Sequence, residues 1–500
     1  MKTRDKINSI LIANRGEIAI RIAQTAKKMG IESVGIRTVK EPDAYYLTQI
    51  DKVIDFPERE MDNIPEFLDI ESLVLLAKRN KIDAIHPGYG YLSENAQFAI
   101  RCTEEGIVFI GPSPRVIQNM GDKVVAKEIA AKGKVPMLSG SNGSVITLDE
   151  ALDVAKQIGY PLIIKACAGG GGRGMRIVRK QSEIKQMYLS ASSEAASAFN
   201  NPSVFIEKYL ENPRHIEVQI VADSYGNVIH LGERECSIQR KHQKLLEEAP
   251  SSALDEDLRR KITTAAVSLA KEAGYVSLGT VEFLLDKNKD FYFMEMNTRV
   301  QVEHPVTEMI TGLDLIELQI RVANGEKLPI VQEDVKLQGW AIECRINAED
   351  PQSDFAPSLG VVKALRLPDG DGVRVDTGVI VGSEITPYFD SMIAKLIVHA
   401  KDRKTVISNT LSALENFQIN GVKTTIPFDK AVLHNNVFQE GNFDTSFIET
   451  EMDSMVYSEE DEELFAALFV AEHFKDQNMP EEIVKQDQNL WNIANRINNM

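Results

Sequence analysis

The sequence has few cysteines, and none of them form a pair with metal-site spacing. Its 500 residues include four, at Cys102, Cys167, Cys236 and Cys344. A zinc knuckle or a redox dithiol needs a C-x-x-C pair, which is missing. A disulfide framework is equally unexpected in a chain this long with so few cysteines. We therefore expect reduced structural thiols in a cytoplasmic protein.

Long apolar runs are also missing. Near the N-terminus the apolar run extends only from Ile10 to Ala13, which is too short for the core of a signal peptide. No stretch approaches the roughly 18 apolar residues that a membrane-spanning helix needs. The sequence therefore predicts no membrane segment, which again favours the cytoplasm.

An excess of positive charge is absent as well. Lysine and arginine total 56 against 74 aspartate and glutamate residues, which gives a net charge of −18. Such a balance argues against nonspecific nucleic-acid binding. Anionic substrates must then meet local basic clusters. One candidate cluster contains Arg240, Lys241, His242 and Lys244, although a solvated loop would look similar.

The chain opens with alternating strand and helix patterns. "SILIA" reads as a strand, "NRGE" as a turn and "IAIRIAQTAKKMG" as a helix, and further strands and helices follow. This alternation predicts a parallel α/β domain with helices on both faces. The fingerprint G-x-G-x-x-G is absent, so dinucleotide binding is not indicated. From about Val135 onward the pattern changes to antiparallel strands, and a block over about 211–445 mixes hairpins and helices.

A glycine run follows one apolar strand in the segment "KACAGGGGRGMR". Lys165 ends the strand "PLIIK", and four glycines follow shortly after it. Glycines allow backbone N–H groups to approach an oxyanion without interference from Cβ. G-K-[ST] is missing, so this is not a Walker-type P-loop. The run predicts either a phosphate-binding loop or a mobile turn.

A probable hairpin brings two carboxylates together in "GTVEFLLDKNKDFYFMEMNTRVQVEH". A turn at Asn288–Lys289 places Glu282 directly opposite Glu295, with Cβ atoms about 4.5–5.5 Å apart. Such a pair repels unless a cation lies between its members. Oxygen ligands from Glu282, Glu295 and Asn297 suit Mg²⁺ or Mn²⁺. The alternative is an exposed sheet face with scattered charges.

Polar residues continue at a spacing of two beyond this pair. The alternating polar positions are Glu295, Asn297, Arg299, Gln301 and Glu303. If the extended geometry persists, all five side chains point into one cavity. This line of groups could bind a metal nucleotide at one end and a small anion at the other. On another strand, the segment "PRHIEVQI" places His215, Glu217 and Gln219 on one face.

Together these segments strongly resemble biotin carboxylase, the ATP-grasp component of biotin-dependent carboxylases. The resemblance covers about residues 6–446 and rests on "IANRGEIAIRI", "HPGYGYLSEN", "MGDK", "IIKACAGGGGRGMR", "EKYLENPRHIEVQ", "ECSIQRKHQK", "EMNTRVQVEHPVTEMITG" and "ECRINAED". It implies an ATP-grasp fold of the α/β and α+β classes. The implied domains are an N-terminal parallel α/β domain (1–115), an ATP-grasp domain (116–330) with a mobile glycine-loop lid (about 136–210), a C-terminal biotin carboxylase domain (331–446) and an acidic helical extension (447–500).

The resemblance also implies a nucleotide site. Lys123 and Lys165 match lysines that bind the ATP phosphates, and Gly171 and Gly172 match the lid loop. The adenine-reading hinge corresponds to Glu207, Lys208 and Leu210. Further nucleotide contacts correspond to His215, Gln239, His242, Glu282 and Leu284, and the metal ligands to Glu282, Glu295 and Asn297. Ala168 replaces a glycine found in some relatives, so the lid should be slightly stiffer.

The implied reaction is ATP- and bicarbonate-dependent carboxylation of biotin through carboxyphosphate. The implied bicarbonate site contains Lys244, Arg299, Gln301 and Val302, with Glu303 as general base and Arg345 as a biotin-site arginine. Among these, Lys244, Arg299 and Glu303 are the expected catalytic residues. The alternatives are another ATP-grasp ligase or a noncatalytic nucleotide-binding scaffold.

The resemblance also implies partners. The chain has no Met-Lys-Met biotinylation segment, so biotin must arrive on a separate carrier protein, and a carboxyltransferase subunit would use the product. Relatives suggest a homodimer. The acceptor remains open, although "GVKTTIPF" and "DTSFIE" look more like pyruvate and propionyl-CoA carboxylases. In the tail, Ser458 and Asp461 have capping-box spacing, which predicts either a packed helix or a partner-docking helix.

Overall fold

The protein is described by a computed structural model. It describes residues 6–57, 64–141, 143–167, 175–199, 201–452 and 455. The glycine run, with Gly171 and Gly172, and the predicted tail helix after Ser458 lie outside the described residues.

The N-terminal part forms a five-stranded parallel sheet, as the alternating pattern predicts. Its strands are β1 (Ser9–Ile12), β2 (Glu32–Arg37), β3 (Lys52–Asp55), β4 (Ala84–His86) and β5 (Val108–Phe109), in the order β3-β2-β1-β4-β5. Its helices are α1 (Gly16–Lys28), α2 (Ile70–Arg79), α3 (Ala96–Glu104) and α4 (Pro114–Gly121). The central strand is apolar because it is covered on both faces: Ile10, Leu11 and Ile12 are all buried.

A smaller antiparallel sheet comes next. Its strands are β6 (Leu162–Ala166), β7 (Arg176–Val178) and β8 (Val204–Lys208), in the order β7-β6-β8. The helices of this region are α5 (Lys123–Lys132), α6 (Leu148–Ile158) and α7 (Ile184–Phe199). Helix α6 begins with a capping box between Thr147 and Glu150. The glycine run connects β6 to β7, so Lys165 lies on the strand that leads into it.

The rest of the described chain is dominated by antiparallel strands. The strands are β9 (Arg214–Ala222), β10 (Val228–Arg240), β11 (Gln243–Ala249), β12 (Ser277–Leu285), β13 (Phe291–Asn297), β14 (Trp340–Asn347), β15 (Glu349–Asp350), β16 (Ala356–Pro357), β17 (Gly360–Val361), β18 (Ala364–Arg366), β19 (Val373–Thr377), β20 (Glu384–Ile385), β21 (Met392–Ala400) and β22 (Gln418–Asn420). The helices are α8 (Glu256–Glu272), α9 (His304–Thr311), α10 (Leu315–Ala323), α11 (Arg403–Asn416), α12 (Ile426–His434), α13 (Asn436–Gln439) and α14 (Phe447–Glu451). Short 3₁₀ helices span Tyr45–Gln49, Glu66–Leu68, Gln181–Glu183, Gln332–Asp334 and Pro351–Ser353.

An eight-stranded antiparallel sheet carries the polar strands. Its order is β13-β12-β9-β10-β11-β14-β21-β19. It runs across the predicted domain boundary at residues 330–331, because β11 pairs with β14. The predicted domain boundaries stay a prediction. One core cluster joins Ile10 and Ile22 of the N-terminal part to Leu231 and Leu278 of this sheet, which fixes the N-terminal part against the polar strands.

The predicted hairpin forms, but its register arises differently. Glu282 does pair with Glu295. Nearer the turn, however, Leu285 pairs with Phe291, so the turn is centred on Asn288 and the prediction of Asn288–Lys289 is wrong by half a residue. A register shift at Met294, between the partners of Glu282 and Phe283, compensates for the difference. Such an extra residue is a β-bulge, and it brings the two carboxylates back into opposition.

The predicted extension of this strand to Glu303 is wrong. Strand β13 ends at Asn297, and helix α9 begins at His304. Residues 298–303, here called the 298–303 turn, connect the two elements. Glu303, the last of them, occupies the N-cap position of the helix. Pro305 in the first turn of α9 suits a helix start, because its missing N–H has no partner there.

Candidate active site

Four strands place charged side chains in one row across the large sheet. Glu282 on β12 pairs with Glu217 on β9 and with Glu295 on β13. On the next strand, Arg234 of β10 pairs with Glu217. Directly paired residues share a face of the sheet. The sheet therefore carries a continuous row of one guanidinium and three carboxylates.

Lys244 lies at the centre of this acidic group. Its ammonium contacts Glu217, lies 3.3 Å from Glu282 Oε1 and donates to Glu303 Oε1 at 2.7 Å. Burial lowers the pKa of Lys244, but the three carboxylates outweigh it and hold that pKa well above its usual range. Lys244 is therefore protonated at neutral pH.

Glu303 lies between two cations. It accepts from Lys244 at one oxygen, and Arg345 Nη2 donates to its Oε2 at 3.0 Å. Burial raises the pKa of Glu303, but Lys244 and Arg345 outweigh it and hold that pKa well below its usual range. Glu303 is therefore an ionised proton acceptor at neutral pH. Arg345 is itself oriented by Glu247, whose Oε1 accepts from Arg345 Nε at 2.7 Å.

The opposed carboxylates have contrasting environments. Glu282 Oε1 accepts from Asn297 Nδ2 at 2.6 Å and from Gln301 Nε2 at 2.8 Å, while its Oε2 lies 2.9 Å from His215 Nε2. Burial raises the pKa of Glu282, but Lys244 and His215 outweigh it and lower that pKa. By contrast, burial and the charge of Glu282 raise the pKa of Glu295.

These residues fit a divalent cation. When a neighbouring carboxylate raises the pKa of a carboxyl group, a cation between the two strongly stabilises its ionised form. Glu282, Glu295 and Asn297 supply the hard oxygen ligands that Mg²⁺ and Mn²⁺ prefer. The structure brings this predicted set together at one end of the row.

Arg299 and Gln301 are held by residues that the sequence analysis missed. Glu94, in the N-terminal part, accepts from Arg299 Nε at 2.9 Å and from the backbone N–H of Thr298 at 2.9 Å. Arg234 Nη2 donates to Gln301 Oε1 at 2.5 Å. Glu94 was detectable because it lies in "HPGYGYLSEN", whereas Arg234 stands between Glu233 and Glu235 in "LGERECSI", where nothing in the sequence sets it apart. Val302, on the same turn, is half-buried.

A second basic group lies at the start of the glycine run. Glu207 on β8 contacts Lys165 and accepts from Lys127 Nζ at 2.5 Å. Burial raises the pKa of Glu207, but these two lysines outweigh it and lower that pKa to about 2. Burial and the nearby Lys165 charge lower the pKa of Lys123, whose Nζ lies 3.4 Å from Ala166 O. Lys127 was not predicted to belong to this group. It lies four residues after Lys123 on the same face of α5, and this spacing could have indicated it.

Some of the residues that were predicted to contact the nucleotide lie next to one another in the structure. His215 Nδ1 lies 2.7 Å from Gln239 Nε2, and Leu284 pairs with His215 across β12 and β9. Lys208 Nζ donates to Tyr160 O at 2.8 Å, and Leu210 follows β8 as a half-buried residue.

The predicted basic cluster does not act as one unit. Arg240 Nη2 donates to Asp354 Oδ1, and Lys241 Nζ lies 3.3 Å from Asp354 Oδ2. Lys244 alone reaches the carboxylate row. His242 is exposed at the turn between β10 and β11. The structure therefore separates Lys244 from Arg240 and Lys241, because neighbouring positions on a tight hairpin point to opposite faces.

The fold and the site together define the ATP-grasp class. A small antiparallel sheet whose lysine-bearing strand leads into a glycine run accompanies a large antiparallel sheet with opposed carboxylates. Three family models match the chain: "Biotin carboxylase, N-terminal domain" over residues 6–117, "Carbamoyl-phosphate synthase L chain, ATP binding domain" over 122–331 and "Biotin carboxylase C-terminal domain" over 343–450.

Curated relatives match over most of their length. The biotin carboxylase of Nostoc sp. is 52% identical over 444 residues, which are 89% of this chain and 99% of the relative. Biotin carboxylase 1 of Bacillus subtilis is 50% identical over 446 residues, with 89% and 98% covered. The small subunit of 2-oxoglutarate carboxylase from Hydrogenobacter thermophilus is 48% identical over 463 residues, with 92% and 98% covered.

Solved structures agree with these relatives. The biotin carboxylase domain dimer of Hydrogenobacter thermophilus 2-oxoglutarate carboxylase, in complex with MgADP, ADP and bicarbonate, superposes with a TM-score of 0.87 at 47% identity, covering 91% of this chain and all of that one (100%). The biotin carboxylase–βγ-ATP complex from Campylobacter jejuni gives 0.86 at 46% identity, with 89% and 99% covered. The chain therefore belongs to the biotin carboxylase family, and the predicted family and fold class are confirmed. Among the described residues, no helix has the length and apolar character to cross a membrane.

Proposed function

We propose that this chain is an ATP-dependent ligase that carboxylates biotin with bicarbonate. The observation that carries the proposal is Glu303, which is ionised and held between Lys244 and Arg345 beside the carboxylate row. The two cations can attract a small anion, and the ionised carboxylate between them can accept its proton. The ligands of two similar structures support it: MgADP, ADP and bicarbonate in one, and βγ-ATP in the other.

Bicarbonate would bind among the cations at the Glu303 end of the row. Lys244 and Arg299 would attract its charge, and Gln301 and Val302 would supply further polar contacts, because all four lie on or beside the 298–303 turn. Binding must loosen the contact between Lys244 and Glu303. That loosening raises the basicity of Glu303, which can then accept the bicarbonate proton.

ATP would lie between the two sheets. Lys123 and Lys165 would offset the charge of its phosphates, and the backbone N–H groups of Gly171 and Gly172 would donate hydrogen bonds to them. The hinge at the end of β8 (Glu207 and Lys208 on the strand, Leu210 just after it) would contact adenine. The remaining nucleotide contacts would come from His215, Gln239, His242 and Leu284. Lys165 must exchange its contact with Glu207 for phosphate oxygen.

Glu282, Glu295 and Asn297 would hold Mg²⁺ or Mn²⁺, which would offset the charge of the phosphoryl group when bound.

The reaction would proceed through carboxyphosphate. Deprotonated bicarbonate attacks the γ-phosphorus of ATP, the bond to the β-phosphate oxygen breaks, and ADP leaves. The resulting carboxyphosphate releases CO₂ and phosphate. Phosphate takes the N1′ proton of biotin, Arg299 stabilises the enolate, and N1′ bonds to CO₂. Arg345 would orient biotin at this end. Shielding by the lid limits hydrolysis of carboxyphosphate.

Biotin would reach this site on a separate carrier protein, and a carboxyltransferase subunit would use the product. Relatives named as subunits of pyruvate carboxylase and of 2-oxoglutarate carboxylase support a multisubunit enzyme. The domain dimer of the Hydrogenobacter relative supports a homodimer. We place the enzyme in the cytoplasm.

The test is phosphate release from ATP with magnesium, with and without bicarbonate and free biotin. We expect release to require bicarbonate and to rise when biotin is added. Another ATP-grasp ligase would show no dependence on biotin, and a scaffold would release no phosphate at all. Either result would contradict the proposal.

A further inference from the structure

Lys395 is a charged residue in the middle of a buried strand. It lies on β21 in "MIAKLIVHA", and its side chain has an exposure of 0%. Its Nζ donates to the carbonyl oxygen of Val302 at 2.9 Å and lies 3.1 Å from Glu17 Oε1 and 3.9 Å from Asp376 Oδ2. Burial lowers the pKa of Lys395, but Glu17, Glu343 and Asp376 outweigh it and raise that pKa. The ammonium therefore keeps its charge inside the protein.

The carbonyl that Lys395 contacts belongs to the turn that carries the proposed chemistry. This turn, residues 298–303, joins β13 to α9 and has no strand partner in the large sheet, whose pairing with β12 ends at Asn297. Its start is fixed by Glu94 through Thr298 N–H. Near its end, His304 Nδ1 lies 2.8 Å from Gln301 O.

The Val302 carbonyl and the Glu303 N–H belong to one peptide plane. Because that plane is rigid, a hydrogen bond to the Val302 oxygen also fixes where the Glu303 backbone begins. A charged donor makes this bond stronger than an ordinary one. Glu17, on α1, holds the same ammonium from the N-terminal part, so two distant segments of the chain, α1 and β21, converge on this peptide.

We propose that Lys395 is a positioning residue, which holds the Val302–Glu303 peptide so that the Glu303 carboxylate meets bicarbonate. The kinetic part of this inference rests on the proposed function. Lys395 contacts no reacting atom and acts only through the turn. Its loss should affect bicarbonate use more than ATP binding, because the ATP lysines lie on other elements.

The experiment compares wild type with Glu17→Gln and with the double variant Lys395→Met/Glu17→Gln. Lys395→Met alone would leave Glu17 buried without its cation, which could prevent folding. The double variant removes both charges. Glu17→Gln is the matched control, because it leaves the Lys395 bond to Val302 in place.

Two measurements are needed. Hydrogen–deuterium exchange of the peptide covering 299–304 reports on the turn, and steady-state kinetics give the KM for bicarbonate and for ATP. We expect the double variant to exchange roughly ten-fold faster than Glu17→Gln and to show a roughly ten-fold higher KM for bicarbonate, as loss of one hydrogen bond from a charged donor implies. The KM for ATP should be unchanged.

Equal exchange in the double variant and Glu17→Gln would overturn the proposal. Faster exchange with an unchanged KM for bicarbonate would also overturn it, because Lys395 would then be structural only. A wild-type protein without bicarbonate-dependent activity would refute the proposed function instead, and the exchange comparison would still decide whether Lys395 holds the turn.

Discussion

Lys244 donates to Glu303 at 2.7 Å, so the proposed base and its neighbouring cation form a buried ion pair. The pair explains how a carboxylate with little solvent contact stays ionised. It also keeps Glu303 weakly basic until an anion engages Lys244, which links proton acceptance to bicarbonate binding.

Replacing the base tests this link. Glu303→Gln keeps the size of the side chain but removes its proton acceptor. We expect kcat for biotin carboxylation to fall by about 10²–10⁴-fold, the usual contribution of general base catalysis. ATP affinity, measured by calorimetry, should stay close to that of wild type. Glu256→Gln, at a position whose side chain is 91% exposed, is the control. A Glu303→Gln enzyme that instead loses ATP binding would show that Glu303 has another role.

Replacing Lys244 should cost both stability and bicarbonate binding. Lys244→Met leaves Glu217, Glu282 and Glu303 without their shared cation. Removing one partner of a buried ion pair typically destabilises a protein by about 3–5 kcal/mol. We expect a lower melting temperature and a higher KM for bicarbonate. Lys261→Met, which removes an exposed lysine, is the matched control. Unchanged melting and KM would contradict the central position of Lys244.

The opposed carboxylates should make thermal stability depend on magnesium. The pKa of Glu295 is raised in the folded protein, so the folded state binds its proton more tightly than the unfolded state. Stability is therefore lost as pH rises from the ordinary pKa of a glutamate through the raised value. A cation between Glu282 and Glu295 should restore it. At neutral pH we expect Mg²⁺ to raise the melting temperature of wild type but not of Glu295→Gln. Equal shifts in both proteins would place the metal elsewhere.

The lysines around Glu207 should give the opposite pH dependence. Its folded pKa is lowered to about 2, so its contribution to stability is present above the ordinary pKa of a glutamate, about 4.3. That contribution is lost as pH falls toward 2. Glu207→Gln should therefore melt below wild type at pH 7, and the difference should shrink below about pH 4. A difference that is constant between pH 7 and pH 3 would show that the two lysines do not set the charge of Glu207.

Parts of the site could be predicted from local sequence pattern. A predicted hairpin turn at Asn288–Lys289 placed Glu282 against Glu295, although the turn is centred on Asn288 and a bulge at Met294 restores this pairing. The polar alternation at a spacing of two did not predict the structure beyond Asn297, where a turn and then helix α9 replace the strand. A polar alternation alone does not show where a strand ends, because a turn can direct side chains to the same site.

Other parts depend on strand order, which local pattern does not contain. The row from Arg234 to Glu295 requires β10, β9, β12 and β13 to be neighbours in that order. Glu94 and Lys395 reach the 298–303 turn from segments about 200 and 90 residues away in sequence. A lysine inside the apolar pattern of β21 was still a usable signal, because a buried charge implies a partner.

If the chain is a biotin carboxylase, the carbon of bicarbonate must end on biotin. The most direct measurement incubates the protein with ATP, magnesium, isotopically labelled bicarbonate and free biotin, then traps the product as its methyl ester for mass spectrometry. We expect labelled carboxybiotin in wild type, formed only when ATP is present, and none in Glu303→Gln. Hydrolysis of ATP without any labelled carboxybiotin in the wild-type reaction would contradict it.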